Sequence, residues 1–181
     1  MDEQTARTTI HQIFTLIHAQ GSTDYIGEPI SQLEHTLQAA QLARNAACDD
    51  ETVLAALLHD VGRFLPAAQK MERMVAPDGT YVGRAGHEVV GEQFLREKGF
   101  PEKVCQGVGA HVLAKRYLTA VEGGYWEGLS EASKRTLEMQ VSSTILSNLV
   151  CVAVDEMAER CRAASSRKSR SRKRSKTPGW R

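Results

Sequence analysis

The amino-acid sequence predicts an all-α fold, a compact bundle of six to eight helices, and three features support that prediction. Apolar residues recur at the helical spacing, for example at Ile10, Ile13, Phe14 and Ile17. Capping residues precede such runs, and glycines or prolines follow them. No stretch of useful length alternates apolar and polar residues, which is the pattern of a half-buried strand.

Two amphipathic helices are expected first. One spans roughly residues 5–19 and is ended by Gly21. The loop that follows contains Tyr25 and Glu28, and residues 31–34 then form a capping box that opens the second helix. That helix carries His35 in its first turns, near the core-facing side. The residues expected on its inner face are Leu33, Leu37 and Ala40.

The third helix is expected to be central. Asp49 or Asp50 would cap it, and its body, VLAALL, is apolar on nearly all sides. It delivers His59 and Asp60 just before Gly62. Since a buried carboxylate is costly unless it is paired or bound to metal, this His-Asp pair is either a metal ligand pair or a hydrogen-bonded structural pair.

The segment after the His-Asp pair is expected to contain little regular structure. Residues 66–74 would form a short helix, and residues 76–86 a loop rich in Gly, Pro and Asp. His87 begins the next helix, in which Val90 and Phe94 pack inward before Gly99 closes the end.

Two more helices complete the expected bundle. Pro101 fits the first turn of one, and Val104 and Val108 would face inward. His111, Lys115 and Arg116 are expected at or just after a junction between helices. The last recognisable helix runs from Leu129-Ser130 to about Gln140.

Length and composition restrict the class of protein to which this chain can belong. At 181 residues, the chain is large enough to bury a core without disulfides. The four cysteines show no CxxC or zinc-finger spacing and the N-terminus has no signal-like apolar segment, which predicts a reduced, cytoplasmic location. No apolar run approaches the roughly 18 residues of a membrane span, so we expect no membrane partner.

Candidate metal ligands occur in the order His35, His59-Asp60, His87 and His111, each on a different predicted helix or at its start. Gaps of about 24 to 28 residues let antiparallel helices bring their ends to one point. Imidazoles and a carboxylate without thiolates suit iron, manganese or another borderline-to-hard divalent ion. A carboxylate that bridges two ions would support a dinuclear centre.

This order of residues is the signature of HD-domain proteins, and further motifs make the resemblance closer. They are DYIGE at 24–28, QLEH at 32–35, AALLHD at 55–60, His111 with KRY at 115–117, and the stretch from Leu129-Ser130 through Ser133 to Leu137-Glu138. Over roughly residues 20–140 the chain resembles the family of 2-amino-1-hydroxyethylphosphonate dioxygenase (glycine-forming). Members of that family are HD-domain oxygenases with a mixed-valent di-iron centre.

The resemblance implies an HD-domain helical bundle that uses O2 to cleave the C–P bond of a 1-hydroxyphosphonate, releasing phosphate and a carboxylic acid. Tyr25 and Glu28 would cover the iron until substrate displaces them, and Glu28 would also recognise the substrate's amino group. Lys115 and Ser133 would hold the phosphonate, a role that suits both groups chemically. Asp60 would bridge two iron ions. The ligands implied for those ions are His35, His59, Asp60, His87 and His111.

Two positions depart from the family pattern. The relatives have a final Asp ligand on a later helix, and here Asp155 is the one Asp after Gln140 and thus the default substitute. Arg63 stands where the dioxygenase has a histidine near the substrate, so the preferred substrate can differ. We therefore expect an HD domain at residues 1–140 and a divergent segment at residues 141–181.

The divergent segment ends in a basic tail. Residues 160–181 contain 10 of the 23 basic residues and no acidic one, which leaves residues 1–159 with a net charge of −9. The tail is either a nuclear-targeting or nucleic-acid-binding arm, or a disordered end produced by replacement of the family's C-terminus. We favour the disordered end, because the resemblance stops abruptly and charge runs without aromatics are weak indicators of nucleic-acid recognition.

Three functional hypotheses follow from the sequence. The first is an iron-dependent oxygenase that acts on a hydroxyphosphonate as its small-molecule substrate. The second is an HD-domain phosphohydrolase, in which metal ions activate water instead of O2. The third is a truncated, catalytically impaired HD protein that lacks the last ligand.

Overall fold

A computed structural model describes residues 2–23, 25 and 29–140, and within them the fold is helical, which confirms the predicted class. Seven α-helices lie in this range: α1 (Glu3–Gln20), α2 (Gln32–Asn45), α3 (Asp50–Leu58), α4 (His87–Glu97), α5 (Glu102–Val121), α6 (Tyr125–Gly128) and α7 (Glu131–Gln140). Two 3₁₀ helices (Val61–Phe64 and Pro66–Lys70) and an antiparallel pair of strands, β1 (Arg73–Val75) and β2 (Tyr81–Arg84), connect α3 to α4.

The helix starts follow from their capping residues. The side chain of Ser31 accepts a hydrogen bond from the backbone N–H of Glu34, and the Glu34 carboxylate accepts one from the backbone N–H of Ser31, which is the expected capping box of α2. Asp49 caps α3 by accepting a hydrogen bond of 2.9 Å from the backbone N–H of Thr52. These caps fix where α2 and α3 begin, and hence where His35 and His59 lie along them.

The hydrophobic core lies between α1, α3, α4 and α5. Helix α3 packs against α2 and α5, and α5 also packs against α4. The fully buried core residues include Val61, Leu95, Val104, Cys105 and Val108. Val104 and Val108 therefore face inward as predicted, and α3 is central as its apolar composition indicated.

The predicted inner face of α2 is partly wrong, and on α1 only part of the apolar stripe is buried. On α2 the buried residues are Gln32, Thr36 and Ala40, while Leu37 is half exposed. On α1 Ile13 and Ile17 are buried, whereas Ile10 and Phe14 are more than half exposed. On α4 His87, Gly91 and Leu95 are buried, and Phe94 packs against the core as predicted, while Val90 is partly buried. Apolar spacing predicted the positions of the helices in the sequence but not which face of each helix is buried.

The hairpin of β1 and β2 was not predicted, and the expected helix over residues 66–74 is reduced to a 3₁₀ turn. Strands of three and four residues are too short to show an alternating pattern. The turn is set by Asp78, whose carboxylate accepts a hydrogen bond from the backbone N–H of Thr80, and by Gly79 at φ +84°. Val82 is fully buried, and its carbonyl oxygen accepts a hydrogen bond from Thr136 on α7.

The expected junction near His111 is also wrong, because α5 runs without a break from residue 102 to residue 121. The glycines of α5 instead allow close packing against α3 and α4. A Cβ at Gly107 would lie 2.8 Å from the side chain of Ala55 on α3, and one at Gly109 would overlap the carboxylate of Glu92 on α4. His111 and Lys115 thus lie on one continuous helix.

The helices that the structure describes include none that combines the length and the apolarity needed to cross a bilayer.

Candidate metal centre

Asp60 sits at the sharp turn that follows α3. The α-helix ends at Leu58, His59 is its C-terminal cap, and Asp60 precedes the first 3₁₀ helix. Gly62 allows this turn to touch the start of α4, since a Cβ there would lie 1.9 Å from the carbonyl oxygen of His87. The close approach brings His87 Nε2 to 3.0 Å from Asp60 Oδ1, and both side chains are almost completely buried.

Four imidazoles surround the Asp60 carboxylate. His35 Nε2 and His59 Nε2 lie 3.1 Å apart on the side of Oδ2, while His87 Nε2 and His111 Nε2 lie 3.2 Å apart on the side of Oδ1. Two groups of three potential ligands result, one of His35, His59 and Asp60 and one of Asp60, His87 and His111. Asp60 belongs to both groups, as a carboxylate that bridges two metal ions would.

The second nitrogen of three of these rings is held by the backbone in the same way. His59 Nδ1 lies 2.8 Å from the carbonyl oxygen of Ala56, His111 Nδ1 lies 2.7 Å from that of Val108, and His87 Nδ1 lies 3.1 Å from that of Arg84. In each case the acceptor is three residues before the histidine. Because a carbonyl oxygen can only accept, each Nδ1 carries a hydrogen, and the neutral form of each ring then has its lone pair on Nε2.

This arrangement fits a cation between the paired rings. In the neutral forms of His87 and His111 the Nε2 lone pairs would face each other at 3.2 Å, an arrangement that a cation or a shared proton between the rings would stabilise. Ligand atoms about 3 Å apart match two neighbouring positions around an ion with bonds of about 2.1 Å. Asp60 Oδ2 is buried and has no hydrogen-bond partner among the described residues, so it too is available as a ligand.

The protonation states suit metal binding. Burial, together with His59, lowers the pKa of His35 to about 4. Burial also lowers the pKa of His59, and the pKa of His111 lies well below its usual range for the same reason, with further contributions from His59 and His87. Burial by itself would raise the pKa of Asp60, but the charge of Arg63 and interactions with the histidines lower it well below its usual range. Neutral imidazoles around a carboxylate are the ligand forms that a divalent ion requires.

Arg63 is a close neighbour of the cluster whose contact with Asp60 was not predicted. Its Nε donates a hydrogen bond of 2.9 Å to Asp60 Oδ1, and its side chain is 14% exposed. Burial alone would lower the pKa of the Arg63 guanidinium, but its interactions with neighbouring groups, Asp60 first among them, have the larger combined effect, so the pKa of Arg63 is raised. The three-residue spacing in Asp-Val-Gly-Arg was the sequence signal that could have shown this pair.

Tyr25 lies over one side of the cluster. Its ring stacks on that of His35 with centroids 3.8 Å apart and an angle of 15° between the planes. Its backbone N–H donates to the carbonyl oxygen of Ile30, and the side chain is 3% exposed. Tyr25 therefore lies next to His35, one of the predicted ligands.

Lys115 and Ser133 differ in their relation to the cluster. Lys115 lies four residues after His111 on the same face of α5, and its charge contributes to the lowered pKa values of His35 and His59. Ser133 is buried on α7, which packs on α5 and the hairpin. Among the described residues no hydrogen bond joins Ser133 to the histidines or to Asp60.

The remaining predicted site residues, Glu28 and Asp155, lie outside the described residues, as does the segment 141–181. The ligand and substrate roles assigned from the sequence stay predictions. Two other contacts were not visible in the sequence. These are the backbone carbonyls that orient the rings and the carboxylate of Glu88, which lies 3.4 Å from His87 Nδ1.

Several known proteins are similar to this chain. Hydroxymethylphosphonate dioxygenase of Gimesia maris is 39% identical over 132 residues, which are 72% of this chain and 62% of that protein. The [1-hydroxy-2-(trimethylamino)ethyl]phosphonate dioxygenase (glycine-betaine-forming) of Leisingera caerulea is 40% identical over 121 residues, 67% of this chain and 58% of that protein. An uncharacterized protein of Acanthamoeba polyphaga mimivirus is 37% identical over 131 residues, 72% of this chain and 58% of that protein.

The chain spans about three fifths of the length of these relatives. The sequence model of the HD domain matches residues 33–160, a range that includes all five clustered ligand candidates. The match covers well over half of the chain, and the helical fold agrees with it. This chain therefore belongs to the HD-domain family.

Proposed function

We propose that this chain is an iron-dependent oxygenase that uses O2 to cleave the C–P bond of a 1-hydroxyphosphonate. The observation that supports this most strongly is the pairing of two three-ligand groups through Asp60, with Nε2 of His87 and Nε2 of His111 only 3.2 Å apart. The relatives named as hydroxyphosphonate dioxygenases provide the reaction class. A cytoplasmic location remains the prediction made from the sequence.

Two iron ions, one ferrous and one ferric, are the proposed cofactor. His35, His59 and Asp60 would hold one, and Asp60, His87 and His111 the other. Bound iron would supply O2 activation, and the overall reaction would convert one hydroxyphosphonate and one O2 into one carboxylate and one phosphate. Asp155 is the proposed sixth ligand.

The chain's own residues would bind and shield the substrate. Lys115, on the same helical face as His111, would pair with the phosphonate, and Ser133 is the proposed hydroxyl donor to it. Tyr25 and Glu28 would cover the His35 side of the site and move away when substrate enters. The stack of the buried Tyr25 ring on the His35 imidazole supports this.

Phosphate release from hydroxymethylphosphonate tests the proposal. The iron-loaded chain should release phosphate with O2 and not without it. His59→Ala should reduce the rate at least about 100-fold because it removes a ligand, whereas His18→Ala, which alters an exposed histidine of α1, should leave it unchanged. Release of phosphate from a phosphate ester at the same rate without O2 would instead identify a phosphohydrolase.

A further inference from the structure

The guanidinium of Arg63 has unused hydrogen-bonding capacity. Its Nε is bonded to Asp60 Oδ1, but Nη1 and Nη2 make no hydrogen bond to any residue that the structure describes. A largely buried guanidinium with two unbonded terminal nitrogens is a favourable partner for an oxyanion, because it can donate two parallel hydrogen bonds.

Arg63 is also placed beside both potential metal positions. At one end it shares Asp60 Oδ1 with the His87 side of the cluster, and at the other its guanidinium carbon lies 5.8 Å from the centroid of the Tyr25 ring. That ring stacks on His35. The Arg63 side chain therefore extends along one side of the site, from the Asp60 carboxylate to the Tyr25 ring.

Two cationic residues lie near the clustered histidines. The guanidinium carbon of Arg63 lies 5.8 Å from the centroid of the Tyr25 ring, which stacks on His35, and Lys115 lies four residues after His111 on the same face of α5. A substrate group near those rings lies within reach of the same two positive charges. A negative group there is attracted, and a cationic nitrogen is repelled.

We propose that Arg63 determines the charge selectivity of this site: its terminal nitrogens bind an oxyanion of the substrate, and its charge favours phosphonates that carry no cationic nitrogen. The proposal rests on the proposed function for the identity of the substrate. This expectation departs from the amino-group recognition that the resemblance implied for Glu28. Hydroxyphosphonates with a hydrogen, an alkyl or an acidic substituent are the expected class.

Binding of two unreactive phosphonates tests the proposal without turnover. Methylphosphonate and 2-aminoethylphosphonate, neither of which has a 1-hydroxyl group, would be titrated calorimetrically into the full chain, iron-loaded without O2 and again after chelation. The unsubstituted chain should prefer methylphosphonate. Arg63→Gln should weaken methylphosphonate binding about tenfold or more, as expected for loss of a charge-assisted hydrogen bond. It should also reduce the ratio of the affinities for methylphosphonate and 2-aminoethylphosphonate by a similar factor.

Two further variants test whether the charge of Arg63 or its hydrogen-bonding geometry is responsible. Arg63→Lys keeps the charge but not the two-pronged donor, so it should retain the preference for methylphosphonate while losing part of the affinity. Arg7→Gln removes an exposed arginine of α1 and should change neither quantity. Metal content and circular dichroism of each variant show that the comparison is made between folded proteins.

Turnover completes the test. With hydroxymethylphosphonate and 2-amino-1-hydroxyethylphosphonate as substrates, Arg63→Gln should mainly raise KM for the first and narrow the ratio of the two kcat/KM values. Equal losses of kcat for both substrates with an unchanged binding preference would show that Arg63 only orients Asp60, and would overturn the proposal. If neither compound is cleaved by the unsubstituted chain, the proposed oxygenase fails, while the binding preference still decides the role of Arg63.

Discussion

Nε2 of His87, at the start of α4, lies 3.0 Å from Oδ1 of Asp60, just after the end of α3, and both residues are 1% exposed. The contact joins two chain segments that are 27 residues apart in sequence. Three further histidines and Arg63 surround the same carboxylate. Asp60 is therefore the residue on which both halves of the site depend.

Removal of the Asp60 carboxylate should affect metal binding and stability together. Asp60→Ala removes the one ligand common to both groups, so bound iron should fall from about two to below one per chain. It also leaves Arg63 largely buried without its partner, at a cost of about 3–5 kcal/mol in the free energy of unfolding. Metal analysis and denaturant titration measure the two effects.

Asp49→Ala is the matched control for that change. Asp49 caps α3 at its other end, so its loss should cost about 1 kcal/mol and leave the metal content unchanged. Full iron content in Asp60→Ala would refute the bridging role of this carboxylate.

Gly62→Ala should disturb the contact between the Asp60 turn and α4. The new Cβ would lie 1.9 Å from the His87 carbonyl oxygen and 2.9 Å from the backbone nitrogen of Gly91, so the backbone must shift. We expect a loss of at least about 1–3 kcal/mol in the free energy of unfolding and weaker metal binding at the His87 side. Gly123→Ala, whose Cβ would meet nothing within 4 Å, should be close to neutral. Equal stability of the two variants, measured by thermal unfolding, would contradict this packing.

Tyr25 should stabilise the site through its ring. Tyr25→Ala removes a buried aromatic side chain and its stack on His35, so the free energy of unfolding should fall by about 3 kcal/mol or more. Tyr25→Phe keeps the ring and should retain most of that stability. A chelator should also remove iron faster from Tyr25→Ala than from Tyr25→Phe, and identical removal rates would argue against a covering role.

The metal-free protein should lose stability in mild acid. The pKa of His35 is about 4 in the folded chain against an ordinary value of 6.5, so between these values the unfolded chain binds more protons. The stability that His35 contributes is complete above about pH 6.5 and disappears as the pH falls to about 4, a loss of about 3 kcal/mol. Denaturant titrations at several pH values measure it, and His35→Gln should flatten the dependence. An unchanged slope in that variant would show that His35 is not responsible.

The convergence of the five ligand candidates could be predicted from the sequence, because it depends on chain order and on where the helices begin and end. Asp49 and Ser31 fixed the starts of α3 and α2, and the apolar body of α3 showed that it would deliver His59 and Asp60 into the interior. The orientation of the rings was not accessible, because it depends on backbone carbonyl oxygens that every residue type carries.

Other features could not be predicted from the sequence, because motifs and apolar spacing do not specify which residues of different elements come into contact. A junction between helices was expected near His111, whereas Gly107 and Gly109 allow Ala55 and Glu92 to approach a continuous helix. Arg63 differed from the family pattern, but its bond to Asp60 depends on the 3₁₀ turn between them.

Iron stoichiometry tests the central claim most directly. Ferrous iron would be titrated anaerobically into the metal-free full chain, and bound iron would be counted before and after partial oxidation, with electron paramagnetic resonance as the second readout. Two ions per chain and a mixed-valent di-iron signal are predicted, because both three-ligand groups share Asp60. Saturation at one ion or fewer per chain, with no mixed-valent signal, would contradict a dinuclear oxygenase and favour the catalytically impaired HD protein.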